Sequence, residues 1–175
     1  MHKHPVIAYW LVPARPEREL FTDLIRILAR EMKAPRFEPH MTVFSTPTSR
    51  LSPKKILAKI KAAPVHLHVR GIGVSSDYPK TLFVRLDSNR TFERFVGELR
   101  RATKTRGKMP ADPHISLLYK KKLPAGARRE LAKAVKLPFS HVVFKSITAV
   151  RLVTPVEKRA DVEAWRVIAT KSLSG

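Results

Sequence analysis

Pro39-His40-Met41-Thr42-Val43-Phe44 and Pro113-His114-Ile115-Ser116-Leu117-Leu118 are near-copies of one another, 74 residues apart in a chain of 175. Each runs proline, histidine, apolar residue, hydroxyl residue, then two more apolar residues, which is the pattern of a strand polar at one end only. Successive side chains of a strand point to opposite faces, so His40 and Thr42 share a face, as do His114 and Ser116. A proline belongs at the first residue or the edge of a strand, because it has no N–H to give to a ladder. Two matched imidazole and hydroxyl pairs on two strands therefore frame everything else.

The elements around these strands occur in the same order twice. Residues 6–12 read as a strand and residues 16–32 as a helix, with Pro16 in its first turn and Leu20, Phe21, Leu24, Ile25, Ile27 and Leu28 as a broad apolar face. Pro35 ends that helix, residues 40–44 form the first motif strand and residues 46–50 a loop. Ser52 is an N-cap with Pro53 at the first helical position, for a helix to about residue 62. Residues 65–74 and 81–86 read as two strands joined by Ser75-Ser76-Asp77-Tyr78-Pro79, followed by a helix over 91–104 and the second motif strand over 114–119. A helix over 125–136 and strands over 141–144, 147–153 and 165–170 complete the repeat. The expected fold is α+β, with two similar lobes around a central cleft, each an antiparallel sheet with helices on its outer face.

Composition sets the context. A chain of 175 residues with 43% hydrophobic content supports one domain with a full core, so residues 1–175 are expected to form a single two-lobed unit. With no cysteine there is no disulfide framework, no thiolate nucleophile and no thiolate metal site, as expected of a cytoplasmic protein. The apolar stretch over residues 6–12 is too short to span a bilayer, and no membrane partner is expected. Thirty-five Lys and Arg against 14 Asp and Glu leave a net charge of +21, which attracts polyanions, nucleic acid first among them. The charge is spread through the chain, and two basic runs, residues 104–108 and Lys120-Lys121-Lys122, bracket the second motif.

Paired histidines suit phosphodiester chemistry. In-line cleavage of a P–O bond needs one group to take a proton from the attacking oxygen and another, on the far side, to give one to the leaving oxygen. Histidine serves both tasks near neutral pH, its ordinary pKa being about 6.5. The hydroxyls of Thr42 and Ser116 would then hydrogen-bond the non-bridging oxygens, whose charge must be held during transfer. Such a site requires neither metal nor other cofactor. A single strand-end histidine is ordinarily just bonded to backbone, but two in matched contexts within a basic chain point to catalysis.

The doubled His-x-Thr/Ser pattern resembles the two-histidine phosphoesterase superfamily, and its surroundings are similar to the cyclic phosphodiesterase branch. The residues that carry the likeness are Tyr9-Trp10-Leu11-Val12-Pro13, Pro35-Arg36-Phe37-Glu38-Pro39-His40-Met41-Thr42-Val43, Pro113-His114-Ile115-Ser116-Leu117-Leu118-Tyr119 and Glu163-Ala164-Trp165-Arg166-Val167-Ile168-Ala169-Thr170. The resemblance implies that the lobes bring His40 and His114 together across the cleft. It also implies opening of 2',3'-cyclic phosphates to 2'-phosphates, or of ADP-ribose cyclic phosphate, with a tryptophan matching Trp10 near the bound nucleotide. Tyr119, five residues past His114, falls on the opposite face by strict alternation, and joins the phosphate ligands only if a bulge or the strand end reorients it.

The expected activity is thus metal-independent hydrolysis of a nucleotide cyclic phosphate by His40 and His114, in a monomer, with Thr42 and Ser116 binding phosphate and Trp10 and Tyr119 contacting substrate. An RNA 3' end processed by an enzyme of the 2',5' RNA ligase type is the alternative that the charge favours. A non-enzymatic basic RNA-binding protein is a third, against which the twin histidines argue, because phosphate contacts need only Lys and Arg. His66 and His68 share a strand face, but no neighbouring acid or cysteine completes a metal site with them, and they read as exposed strand histidines.

Overall fold

The computed structural model describes residues 2–48, 51–106 and 112–174. Its elements are β1 (His4–Pro13), α1 (Glu17–Met32), β2 (Met41–Pro47), α2 (Pro53–Ala58), β3 (Val65–Val74), β4 (Leu82–Leu86), α3 (Arg90–Thr103), β5 (His114–Leu118), α4 (Ala125–Ala134), β6 (His141–Thr154), α5 (Arg159–Glu163) and β7 (Arg166–Ser172). The order strand, helix, motif strand, helix, strand thus occurs twice, as the sequence repeat leads one to expect. Helix α3 shows why: Asn89 caps it by accepting from the Phe92 N–H at 3.0 Å, and Phe92, Phe95, Val96, Leu99 and Ala102 form its buried stripe.

The strands form one seven-stranded α+β sheet in the order β2-β1-β6-β3-β4-β5, with β7 also paired to β6, and the pairings described are antiparallel. The two halves are therefore continuous, joined where residues 65–68 of β3 pair with residues 141–144 of β6. Beyond that point β3 turns to β4, leaving the edge of β6 to β7. The turn is made at Gly71, whose φ of 143° lies in the region that favours glycine, next to a register shift between Val69 and Gly71.

One face of the sheet carries the main core. Ile7, Tyr9 and Leu11 of β1 face it together with Phe21 and Ile25 of α1 and the stripe of α3. The alternate residues Ala8 and Trp10 form a second small cluster with Val150, Leu152 and Trp165 on the opposite face. The motif strands β2 and β5 end the strand order, yet the sheet is rolled so that they meet. Each also carries the same irregularity. Thr42 pairs with Trp10 while Phe44 pairs with Tyr9, leaving Val43 extra; Ser116 pairs with Phe83 while Leu118 pairs with Leu82, leaving Leu117 extra.

Several boundaries differ from the sequence reading. Strand β6 is continuous over His141–Thr154, where two strands were expected. The polar Lys145-Ser146 is not a break but a bulge, since Val12 pairs with Ser146 and Pro13 with Phe144. Helix α2 ends at Ala58 instead of near residue 62. The Lys61 N–H is given to Glu98, and Pro64 disfavours helix just before it. Strand β2 extends to Pro47, into residues expected to be loop. A short 3-10 turn, Tyr78–Lys80, and α5 were not anticipated. Of the expected loop over 46–50, Ser49 and Arg50 lie outside the described residues, as does part of the basic run, 107–108. No helix is long and apolar enough to cross a membrane among the described residues.

Candidate active site

The rolled sheet brings both motifs to one pocket of about 280 Å³ lined by His40, Thr42, Asp77, Pro79, Lys80, His114, Ser116 and Tyr119. The imidazoles are held alike. His40 Nδ1 lies 2.7 Å from the Glu38 carbonyl oxygen, and His114 Nδ1 lies 2.8 Å from that of Asp112. A carbonyl only accepts, so in each ring Nδ1 carries the proton, and in the neutral ring Nε2 keeps its lone pair. Each histidine also has an aromatic ring from the neighbouring strand: Trp10, opposite Thr42, and Phe83, opposite Ser116.

The environments nevertheless differ. His40 is 5% exposed, with its ring stacked on Trp10 at 3.7 Å and 16°, and Trp165 edge-on at 5.6 Å. Burial pushes its pKa down to about 4, against the opposing pull of the Glu38 carbonyl, with nearby His114 lowering it further. His114 is half-buried, and Phe83 meets it edge-on at 5.5 Å. Burial also lowers its pKa; the Asp112 carbonyl bond opposes this, Lys80 adds to the lowering, and the Asp112 carboxylate works against it.

The hydroxyls differ too. Thr42 is exposed and has no hydrogen-bond partner among the described residues, so its O–H is free. Ser116 is buried and donates to the Pro79 carbonyl at 2.7 Å. Burial raises the pKa of the Tyr119 hydroxyl, and the neighbouring Ser116 side chain opposes that shift. Tyr119 reaches the pocket because the Leu117 bulge resets the alternation and β5 ends at Leu118. Phe37 stacks on it at 4.3 Å. Trp10 is 5% exposed, one of its faces covered by His40, and Trp165 packs edge-on at 5.1 Å.

Lys80 is a pocket residue that sequence reasoning did not single out. Its Nζ is bonded to the Asp112 carboxylate and lies 4.5 Å from the centre of the Phe83 ring. Lys80 holds that carboxyl below its ordinary range, mainly through the hydrogen bond. Nothing in the sequence ties Lys80 to Asp112, 32 residues on, because the strand pairing of β4 with β5 creates the contact. Phe37 and Trp165 lay within the stretches carrying the family likeness, but only the folded chain shows them around His40.

The other candidates lie elsewhere. His68 Nδ1 is 3.0 Å from Asp87 Oδ2, and the His68 and His141 rings are 5.2 Å apart. The Asp87 contact was not visible in sequence. Among the described residues no group of three or more His, Asp or Glu side chains is placed to hold a metal ion. Lys120, from the basic run after the second motif, donates to the Met32 carbonyl at 2.7 Å and so ties that loop to α1.

Two imidazoles with free Nε2 positions in one pocket, each with a hydroxyl two residues on, define a two-histidine phosphoesterase. Residues 6–173 match the family model for the cyclic phosphodiesterase-like protein, and the chain belongs to that family. Among solved structures it is similar to Escherichia coli LigT in apo form, at 17% identity and a TM-score of 0.58, covering 98% of this chain and 99% of that one. LigT complexed with 3'-AMP gives 16% identity and a TM-score of 0.56, with the same coverage. TT0787 of Thermus thermophilus gives 18% identity and a TM-score of 0.58, covering 97% of this chain and 98% of that one. At these identities the likeness is one of fold. No curated protein sequence matches.

The burial of His40 makes stability depend on pH. Above about pH 6.5 its ring is neutral folded or unfolded; between 6.5 and about 4 the unfolded chain binds a proton that the folded one does not. Stability present above pH 6.5 is therefore lost as pH falls through that window, by about 3 kcal/mol for this one group. His114 acts with the same sign. Urea unfolding of wild type at pH 7.5 and 4.5, compared with His40→Gln, should show a smaller acid loss in the variant. An equal loss in both would mean that His40 is protonated in the folded protein.

Proposed function

We propose that this protein hydrolyses 2',3'-cyclic phosphates of nucleotides, or ADP-ribose cyclic phosphate, to phosphomonoesters by acid–base catalysis without a metal. The observation that carries the reading is the shared pocket of His40 and His114, each with Nδ1 fixed by backbone and Nε2 left for chemistry. One histidine takes a proton from water as its oxygen bonds to phosphorus. The P–O bond to the ribose then breaks, and the other histidine gives the departing oxygen a proton. Burial leans both rings towards the neutral form, and an anionic phosphodiester between them favours charging one.

Thr42 supplies a free donor to a non-bridging oxygen, and Ser116 with Tyr119 supplies the matching pair on the other lobe. Trp10 acts by holding the His40 ring in place. Lys80 adds positive charge beside the phosphate. Lys80→Met is expected to raise KM and lower kcat/KM by about 10- to 100-fold, the worth of a hydrogen bond to a charged group. An unchanged kcat/KM would remove Lys80 from the site.

The test is product formation from a nucleoside 2',3'-cyclic phosphate, with chelator present, alongside an RNA ending in the same group. Turnover of the small substrate supports the reading, and no turnover of either overturns it. The net charge of +21 favours a second reading, action on RNA ends. A large preference for RNA that collapses with added salt would select it.

A further inference from the structure

A second cavity, of about 410 Å³, opens between α1, the segment leading to His40, and α5. Arg30, Arg36 and Arg159 line it, over Ala29 and Ala34, and Glu163 is its one carboxylate among the described residues. Arg159 lies 3.8 Å from Glu163 and donates to the Lys33 carbonyl at 3.0 Å, which fixes it against the end of α1. Arg30 and Arg36 are exposed and make neither hydrogen bond nor ion pair among the described residues. Three guanidinium groups thus converge on one hollow with a single acid to offset them. Guanidinium forks without partners match the oxygens of a phosphate.

The cavity is linked to the catalytic pocket by aromatic rings. Arg36 is followed by Phe37, which stacks on Tyr119 at 4.3 Å. Arg159 acts electrostatically on Tyr78, whose ring is 5.8 Å from that of Tyr119. Tyr119 itself lines the catalytic pocket. Phe37 and Tyr119 are thus the rings that stand between the catalytic histidines and the arginines.

Resting on the reading above, we propose that Arg30, Arg36 and Arg159 form a subsite for a second phosphate group of the nucleotide substrate. The group is either a 5'-phosphate on the same nucleoside or the phosphodiester to a preceding nucleotide. Substrates with that second phosphate are then preferred over a bare nucleoside cyclic phosphate.

The test uses ligands that need no turnover. Isothermal titration compares adenosine 2'-monophosphate, adenosine 2',5'-bisphosphate and a dinucleotide with a terminal 2'-phosphate, on wild type and on Arg30→Ala/Arg36→Ala. Both replaced side chains are exposed and unbonded among the described residues, so the variant should keep its thermal midpoint. Wild type is expected to bind at least one ligand with a second phosphate about tenfold or more tighter than the monophosphate. In the double variant that ratio should fall towards one, with Arg36→Lys intermediate. Which ligand carries the advantage tells the 5'-phosphate from the internucleotide phosphate. Equal affinity for all three, undetectable binding of all three by an enzyme that still opens a nucleoside 2',3'-cyclic phosphate, or an advantage that survives in the variant, would overturn the subsite. Failure to open any cyclic phosphate would instead overturn the reading on which it rests.

Discussion

Alanine in place of His40 or of His114 is expected to lower the rate of cyclic phosphate opening by roughly 10²- to 10⁴-fold, the range for a positioned acid or base. The two substitutions should be similar in size, because each removes one of two proton transfers of a single in-line displacement. Their combination should be scarcely worse than the more damaging single change, since an acid without its base has little left to do. The stability effects differ and separate folding from chemistry. His40 is 5% exposed and stacked on Trp10, so its removal leaves a hollow, whereas His114 is half-buried. His40→Gln, which keeps much of the volume, is therefore the fairer kinetic comparison. Near-normal turnover in either variant would remove that histidine from the mechanism.

The part of this site legible in the sequence is the part that local periodicity governs. His114 and Ser116 are two apart on β5, and His40 stands one residue before β2 with Thr42 two on, so strand alternation already suggests that each pair shares a face. The doubled order of elements likewise followed from caps, prolines and apolar spacing, including Pro53 after Ser52 at the start of α2. The misreadings arose where tertiary structure overrode local pattern. Lys145-Ser146 looks like a turn but is a bulge, held because β1 runs alongside with Val12 opposite Ser146 and Pro13 opposite Phe144. Tyr119 is placed by another bulge, one that the alternation rule cannot foresee. Lys80 and Asp112 meet only because β4 and β5 are adjacent, and Arg30, Arg36 and Arg159 only because α5 packs at the end of α1.

The same folded detail makes the two hydroxyls unequal, although the sequence presents them as equivalents. Thr42→Ala is expected to reduce kcat by roughly 10²- to 10³-fold, the loss seen when a donor to a developing oxyanion is removed. Among the described residues the Thr42 hydroxyl has no partner to give up before it donates, so its whole contribution is available to the phosphoryl oxygen. Ser116 must first release the Pro79 carbonyl, and part of its bond to phosphate is spent in that exchange. Ser116→Ala should therefore cost less in kcat than Thr42→Ala and more in stability, because Ser116 is buried and the Pro79 carbonyl loses its partner. Thr42→Ser should restore most of the rate, since it returns the donor at the same position. The decisive measurement is kcat alongside the urea midpoint for all three variants. If Ser116→Ala proved the slower enzyme at unchanged stability, the serine would be the principal donor, and its bond to Pro79 would cost the phosphate contact little.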